Sequence, residues 1–135
     1  MLNMHNNWRY QYSAFMLASQ ISNENAKIED YSKFIDFALH YLTNPNPKIR
    51  YACFHLLGLY SDEMKPDFQE MYYDVIIPEI IKAFDDPVQR VVSHAFGCLT
   101  NFIENIEDAQ KIEFLLGKTL PIFTKYLKTA NSYLK

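Results

Sequence analysis

The chain is 135 residues long, 49% hydrophobic and 16% aromatic, with three Gly and a formal net charge of −3. So apolar a chain can offset its ordering entropy and fold, yet no apolar run approaches the ~18 residues of a membrane span, and the mild acidity offers no basic face for nucleic acid. Three Gly is well below the ~7% average and argues against a turn-rich β fold or a Gly-rich phosphate loop, which leaves an all-α chain.

Apolar residues recur every three or four positions almost throughout, the spacing of helices packed on one face. The first helical stretch is Trp8 to Ser22. The second, Ile28 to Thr43, carries two stripes: Ile28, Tyr31, Ile35, Leu39 and Leu42, and Phe34, Phe37, Ala38 and Tyr41. Two stripes predict packing on more than one side. Pro47 to Ser61 follows, then Phe68 to Phe84 with the stripe Phe68, Tyr72, Ile76, Ile80 and Phe84. Val88 to Glu104 comes next, and Ile112 to Leu127 closes the series with Ile112, Leu116, Leu120, Phe123 and Leu127. Asn46-Pro47 and Asp86-Pro87 each read as a capping residue before a proline at the first helical position. The short connections predict antiparallel hairpins.

The chain also repeats itself. Shifted by 42 residues, Pro45 meets Pro87, Ile49 meets Val91, Cys53 meets Ala95, Phe54 meets Phe96 and Leu57 meets Leu99. A shift of 39 sets Tyr12 on Tyr51, Ala14 on Cys53 and Phe15 on Phe54, while Pro78 and Pro121 lie 43 apart inside helical patterns. A helix-pair period of ~40–47 residues is that of HEAT and armadillo arrays. Each unit then pairs an outer helix with an inner one, and the interior prolines predict bent outer helices.

Cys53 and Cys98 sit within apolar helical patterns and read as reduced core thiols. Cys53 and His55 are two apart and face different ways, so they make no nucleophilic pair. His94 and Cys98 share a face but supply only two ligands, too few for zinc. His5, His40 and His55 join no such set, and Met1-Leu2-Asn3-Met4-His5 has no charged region before an apolar stretch. No catalytic constellation emerges, so the expectation is a binding protein with no metal, no cofactor and no enzymatic activity.

The inner-helix stretches WRYQYSAFMLASQIS, PNPKIRYACFHLLGLYSD and PVQRVVSHAFGCLTNFIE resemble the HEAT repeats of the importin-β (karyopherin-β) nuclear transport receptors, most of all the middle repeats of the importin beta-three type. Trp8, Ala14, Gln20-Ile21, Pro47, Arg50-Tyr51-Ala52, Gly58, Arg90-Val91, His94-Ala95, Asn101-Phe102 and Glu104 carry the resemblance, which runs from Trp8 to about Leu127. It implies an all-α HEAT-repeat α-solenoid of antiparallel hairpins. The expected division is an inner helix of a first, incomplete repeat over 1–23, repeats over 24–64 and 65–106, and over 107–135 an outer helix with the start of its inner helix near Asn131–Lys135. Neither end supplies the polar cap of a finished solenoid, so the chain reads as a window of a longer receptor.

Asp62, Glu63, Asn101 and Glu104 lie at or just past inner-helix C-termini, where negative charge opposes the helix dipole by ~0.3–1 kcal/mol. They read either as an acidic and amide ladder for lysine or arginine side chains of a basic cargo, or as solvated residues that open the next helix. The resemblance implies the first, with cargo of the ribosomal-protein or histone type. Gln20 and His94 are further candidates, along with Tyr12, Gln89 and Arg90. Arg50 and Arg90 are expected to bond carbonyls or acids of a neighbouring repeat, and Trp8 either stacks on an incoming side chain or caps the core. The resemblance further implies FG-repeat nucleoporins in grooves near Phe68, Tyr72, Tyr73 or Phe123, with core packing the alternative for these residues. It also implies Ran-GTP acting through repeats outside this chain, and shuttling between cytoplasm and nucleus through the pore. The rival reading is a HEAT scaffold of a non-transport complex.

Overall fold

The computed structural model describes residues 7–21 and 27–133, with side chains through Lys128. The described residues form α1 (Trp8–Gln20), α2 (Ile28–Tyr41), α3 (Pro47–Glu63), α4 (Asp67–Ala83), α5 (Gln89–Ile103) and α6 (Ala109–Tyr133), with no strand among them. The fold is an all-α HEAT-type array. Two compact units divide it, Met1–Asn105 and Ile106–Lys135.

Side chains start several of the helices by accepting backbone N–H groups that the first turn would leave unpaired. Asn7 Oδ1 accepts from Arg9 N at 3.1 Å, Asn46 Oδ1 from Lys48 N at 3.0 Å, and Asp108 Oδ1 from Gln110 N at 2.9 Å. Pro47 takes the first position of α3, as expected. Pro87 does not do so for α5, because Val88 is the cap and Asp86 stands one step further out. The matching residue is Asn44: Asn44 Oδ1 accepts Asn46 N at 2.9 Å, just as Asp86 Oδ1 accepts Val88 N at 2.9 Å. The two turns are thus one structure repeated after 42 residues.

Within the first unit, α3 lies between α1 and α5, and α2 and α4 pack on the same layer from behind. The three helices of the layer run parallel. Tyr12 meets Tyr51, and Tyr51 meets His94, near their N-terminal ends. Toward the C-terminal ends, Tyr60 Oη donates to Ala18 O at 3.2 Å and Asn101 Nδ2 to Gly58 O at 3.1 Å. The core between the layers holds Ile35, Ile49, Leu57, Tyr60, Phe68, Ile76, Ile80, Val91 and Phe102, each fully shielded from solvent or nearly so. Burial of one such side chain is worth ~1.5–3 kcal/mol.

The α3–α5 seam is the tightest contact. A Cβ placed on Gly58 would lie 3.1 Å from Cys98 Cα, so a larger residue fits there only if α5 gives way by a few tenths of an ångström. The Gly58 carbonyl also accepts Ser61 Oγ at 2.7 Å and Asn101 Nδ2 at 3.1 Å. Cys98 is buried in this seam and Cys53 is buried on α3, both as free thiols. Burial pushes both thiols up, Cys98 to about 12, which leaves them protonated and unreactive.

Pro78 and Pro121 sit inside α4 and α6, which run on through them. Pro78 and Asp74, whose carbonyl loses its helical partner, are both exposed, so water can satisfy the freed oxygen. On α6, Leu116, Leu120, Phe123 and Leu127 are 45–59% exposed, so most of the stripe expected to be core faces outward. Residues 131–133, expected to open a further inner helix, continue α6 instead.

Candidate binding face

Steps of three and four residues trace one face along each helix of the α1–α3–α5 layer. It carries Trp8, Tyr12, Met16 and Gln20 on α1, then Lys48, Tyr51, His55, Leu59 and Asp62 on α3. On α5 it carries Arg90, His94, Gly97, Asn101 and Glu104. All are exposed or half-buried except Tyr51.

The C-terminal end of this face gathers the expected acidic residues, but they play different parts. Asp62 is exposed and its Oδ1 meets Lys65 Nζ at 3.2 Å, with both side chains about half exposed at 54% and 52%. An exposed pair of this kind is worth at most ~1 kcal/mol and yields to an incoming cation. Glu104 is exposed at the cap of α5, and Gln20 is exposed at the last turn of α1. Glu63 is half-buried, and its Oε2 is screened from solvent with no partner among the described residues. Its charge also helps to raise the buried Tyr60 phenol to about 12, after burial itself and the neighbouring Tyr31. Asn101 is no open rung, since its amide donates to Gly58 O across the seam. That bond holds the two helices in register.

His94 lies nearer the other end. It stacks on Tyr51 with centroids 5.3 Å apart and meets His55 edge-on at 5.8 Å. Burial, then the charges of His55 and Arg90, hold its pKa below the ordinary histidine value. The imidazole is therefore neutral at pH 7 and acts as a flat, weakly polar surface.

Arg50 makes the expected inter-repeat link. Its Nε and Nη2 reach Asp86 Oδ2 and Oδ1 at 2.8 and 3.0 Å, while Nη1 donates to Asn44 O and Pro45 O at 2.9 and 3.0 Å. Burial opposes ionisation of Asp86, but hydrogen bonds from Arg50 and Val88 N, with the Arg50 charge, hold its carboxyl below the usual value. Arg90 departs from expectation: its Cζ lies 4.7 Å from the Tyr51 ring centroid. Trp8 also has its cations in place, with Lys48 Nζ at 4.6 Å and Arg9 Cζ at 5.0 Å from the ring centroid. The i,i+3 and i,i+4 spacings within Lys48/Tyr51 and Arg90/His94 hinted at this row; its pairing across helices did not show in the sequence. Of the groove aromatics, Phe68 is fully buried, Tyr72 and Tyr73 are half-buried and Phe123 is exposed.

No group of three or more His, Cys, Asp or Glu among the described residues could hold a metal ion. No helix there is long and apolar enough to cross a membrane.

The family described as "Stalled ribosome sensor GCN1-like, HEAT repeats" matches residues 13–117. The Importin subunit beta-3 of Saccharomyces cerevisiae is 31% identical over 100 residues, 72% of this chain, which spans only 9% of that protein. No solved structure matches. With paired helices, repeated turns and both similarities each spanning most of its length, the chain belongs to the HEAT-repeat family and is of importin-β type.

Proposed function

We propose that this chain is part of a nuclear import receptor and takes lysine-rich segments of basic cargo on the C-terminal end of its α1–α3–α5 face. The observation that carries this reading is the recurrence of an exposed carboxylate, Asp62 then Glu104, at the ends of adjacent parallel inner helices. Gln20 holds the corresponding place on α1. The likeness to an importin supports the transport role. The repeats are 24–64 and 65–106, preceded by an inner helix and followed by an outer one. In the whole receptor, FG-repeat nucleoporins bind the outer helices and Ran-GTP acts through repeats outside this chain. The protein shuttles between cytoplasm and nucleus, and its role is to bind cargo, with no catalysis of its own.

A lysine-rich peptide of the nuclear-localisation type, titrated calorimetrically into the chain, should bind weakly and more weakly still as salt rises. Asp62→Lys with Glu104→Lys should abolish the binding while the helical circular dichroism stays unchanged. The match to GCN1-like repeats favours a second reading, a scaffold for another complex. Absent or salt-independent binding beside a working control peptide would decide for the scaffold.

A further inference from the structure

The opposite end of the same face has the reverse chemistry. Arg9, Lys48 and Arg90 are all exposed, and each is drawn onto an aromatic ring: Lys48 and Arg9 onto Trp8 at 4.6 and 5.0 Å, Arg90 onto Tyr51 at 4.7 Å. None of the three makes an ion pair with a described residue. The described carboxylates nearest Arg90 in sequence are Asp86 and Asp85, in the turn before α5, and Asp86 is engaged by Arg50. The rings themselves are joined, Tyr12 meeting Tyr51 edge-on at 6.1 Å and His94 stacking on Tyr51 at 5.3 Å. The outcome is a continuous aromatic strip across three helices, overlaid with cations that no described carboxylate pairs.

Three points bear on what this strip would take. A cation–π contact restrains a lysine or arginine without consuming its N–H donors, so the charges are ordered but still available to an acceptor. The neutral His94 and the rings favour a ligand with some apolar body, which a peptide has and a free anion lacks. The strip is also electrically separate from the acidic end. Lys48 and Asp62 are fourteen residues apart on α3, as are Arg90 and Glu104 on α5. At 1.5 Å per residue this is about 21 Å, twice the ~10 Å screening length at 0.1 M salt, so the poles do not cancel.

We infer that this strip is a second binding site, and that it takes a carboxylate-rich, Asp/Glu-bearing peptide segment of a protein partner. Carboxylates bridge Arg9, Lys48 and Arg90 while the peptide body lies on Trp8, Tyr12 and Tyr51. The inference stands apart from the proposed cargo site, whose residues lie at the other end of the helices.

Trp8 is the only tryptophan in the chain, and its two cations make it a direct reporter. Titration of the 135-residue chain with an eight-residue Asp/Glu peptide in low salt should give a saturable change in Trp8 emission, with calorimetry as a second readout. The double variant Lys48→Glu, Arg90→Glu should weaken the calorimetric affinity at least about tenfold, since both charges then repel the ligand. The variant Asp62→Lys, Glu104→Lys should leave it unchanged, whether or not that variant has lost lysine-rich peptide. Circular dichroism checks that both variants keep their helices. No saturable response, or equal binding by the Lys48→Glu, Arg90→Glu variant, overturns the inference. So does tighter binding of a phosphorylated peptide or a single-stranded oligonucleotide than of the Asp/Glu peptide.

Discussion

Two glycines of α5 and its neighbour show how one residue type serves opposite ends. Gly58 faces Cys98 Cα, 3.1 Å from where a Cβ would stand, whereas Gly97 has nothing within 4 Å. Alanine improves a helix interior by ~0.5–1 kcal/mol, but overpacking against rigid backbone costs ~1–3 kcal/mol. Gly58→Ala should therefore lose about 1 kcal/mol net, as the seam opens and the Asn101 bond lengthens. Gly97→Ala should gain about 0.5 kcal/mol, by propensity alone. Urea unfolding of the two variants checks both signs. Asp86 adds a pH dependence. Its carboxyl titrates lower in the folded chain than in the unfolded one, so its stabilising effect is complete above the ordinary value near ~3.9. That effect disappears as pH falls through the lower folded value, because the unfolded state then binds the extra proton. Asp86→Asn should cost about 2 kcal/mol at pH 7, leaving Arg50 without its partner, and the gap to the parent should close below about pH 4. Unfolding curves at pH 7, 5 and 3 would show it.

Among the helices, the capping residues decide where elements begin. Asn46 accepts Lys48 N at 3.0 Å at the start of α3, the helix on which both neighbours in the layer pack. Asn46→Ala should lower stability by about 1 kcal/mol and the melting temperature by a few degrees, measured by thermal circular dichroism. Much of this was legible in the residues. All six helices fall where spacing put them, most ends lie within two residues of expectation, and α4 and α6 run on through their interior prolines. The register of the second turn was harder to see. Asp86-Pro87 resembles Asn46-Pro47 as a dipeptide, yet its structural counterpart is Asn44-Pro45, as the 42-residue shift of Pro45 onto Pro87 implied and the hydrogen bonds to Asn46 N and Val88 N show. The outward stripe of α6 was also not foreseeable, since periodicity marks an apolar face but not whether anything covers it.

For the molecule as a whole, the repeat was the legible part and the division of labour on its face was not. Asp62 and Glu104 could be picked out because they recur. Asn101 looked equivalent to them, yet it spends its amide on a carbonyl 43 residues away, which no local pattern records. Arg50 and Arg90 looked alike too; a carboxylate within reach took one and a tyrosine ring took the other. Contacts between repeats therefore distinguish residues that contacts within a repeat would leave the same. The seam has one further consequence. Cys53 and Cys98 are the chain's only thiols, both shut within α3 and α5 and both held protonated. An alkylating reagent in native buffer can reach Cys98, packed against Gly58, only when α5 draws away from α3, so the Cys98 labelling rate is a clock for that event. The protein thus carries an internal chemical timer of how often neighbouring repeats come undone, in a place where no engineered probe is required.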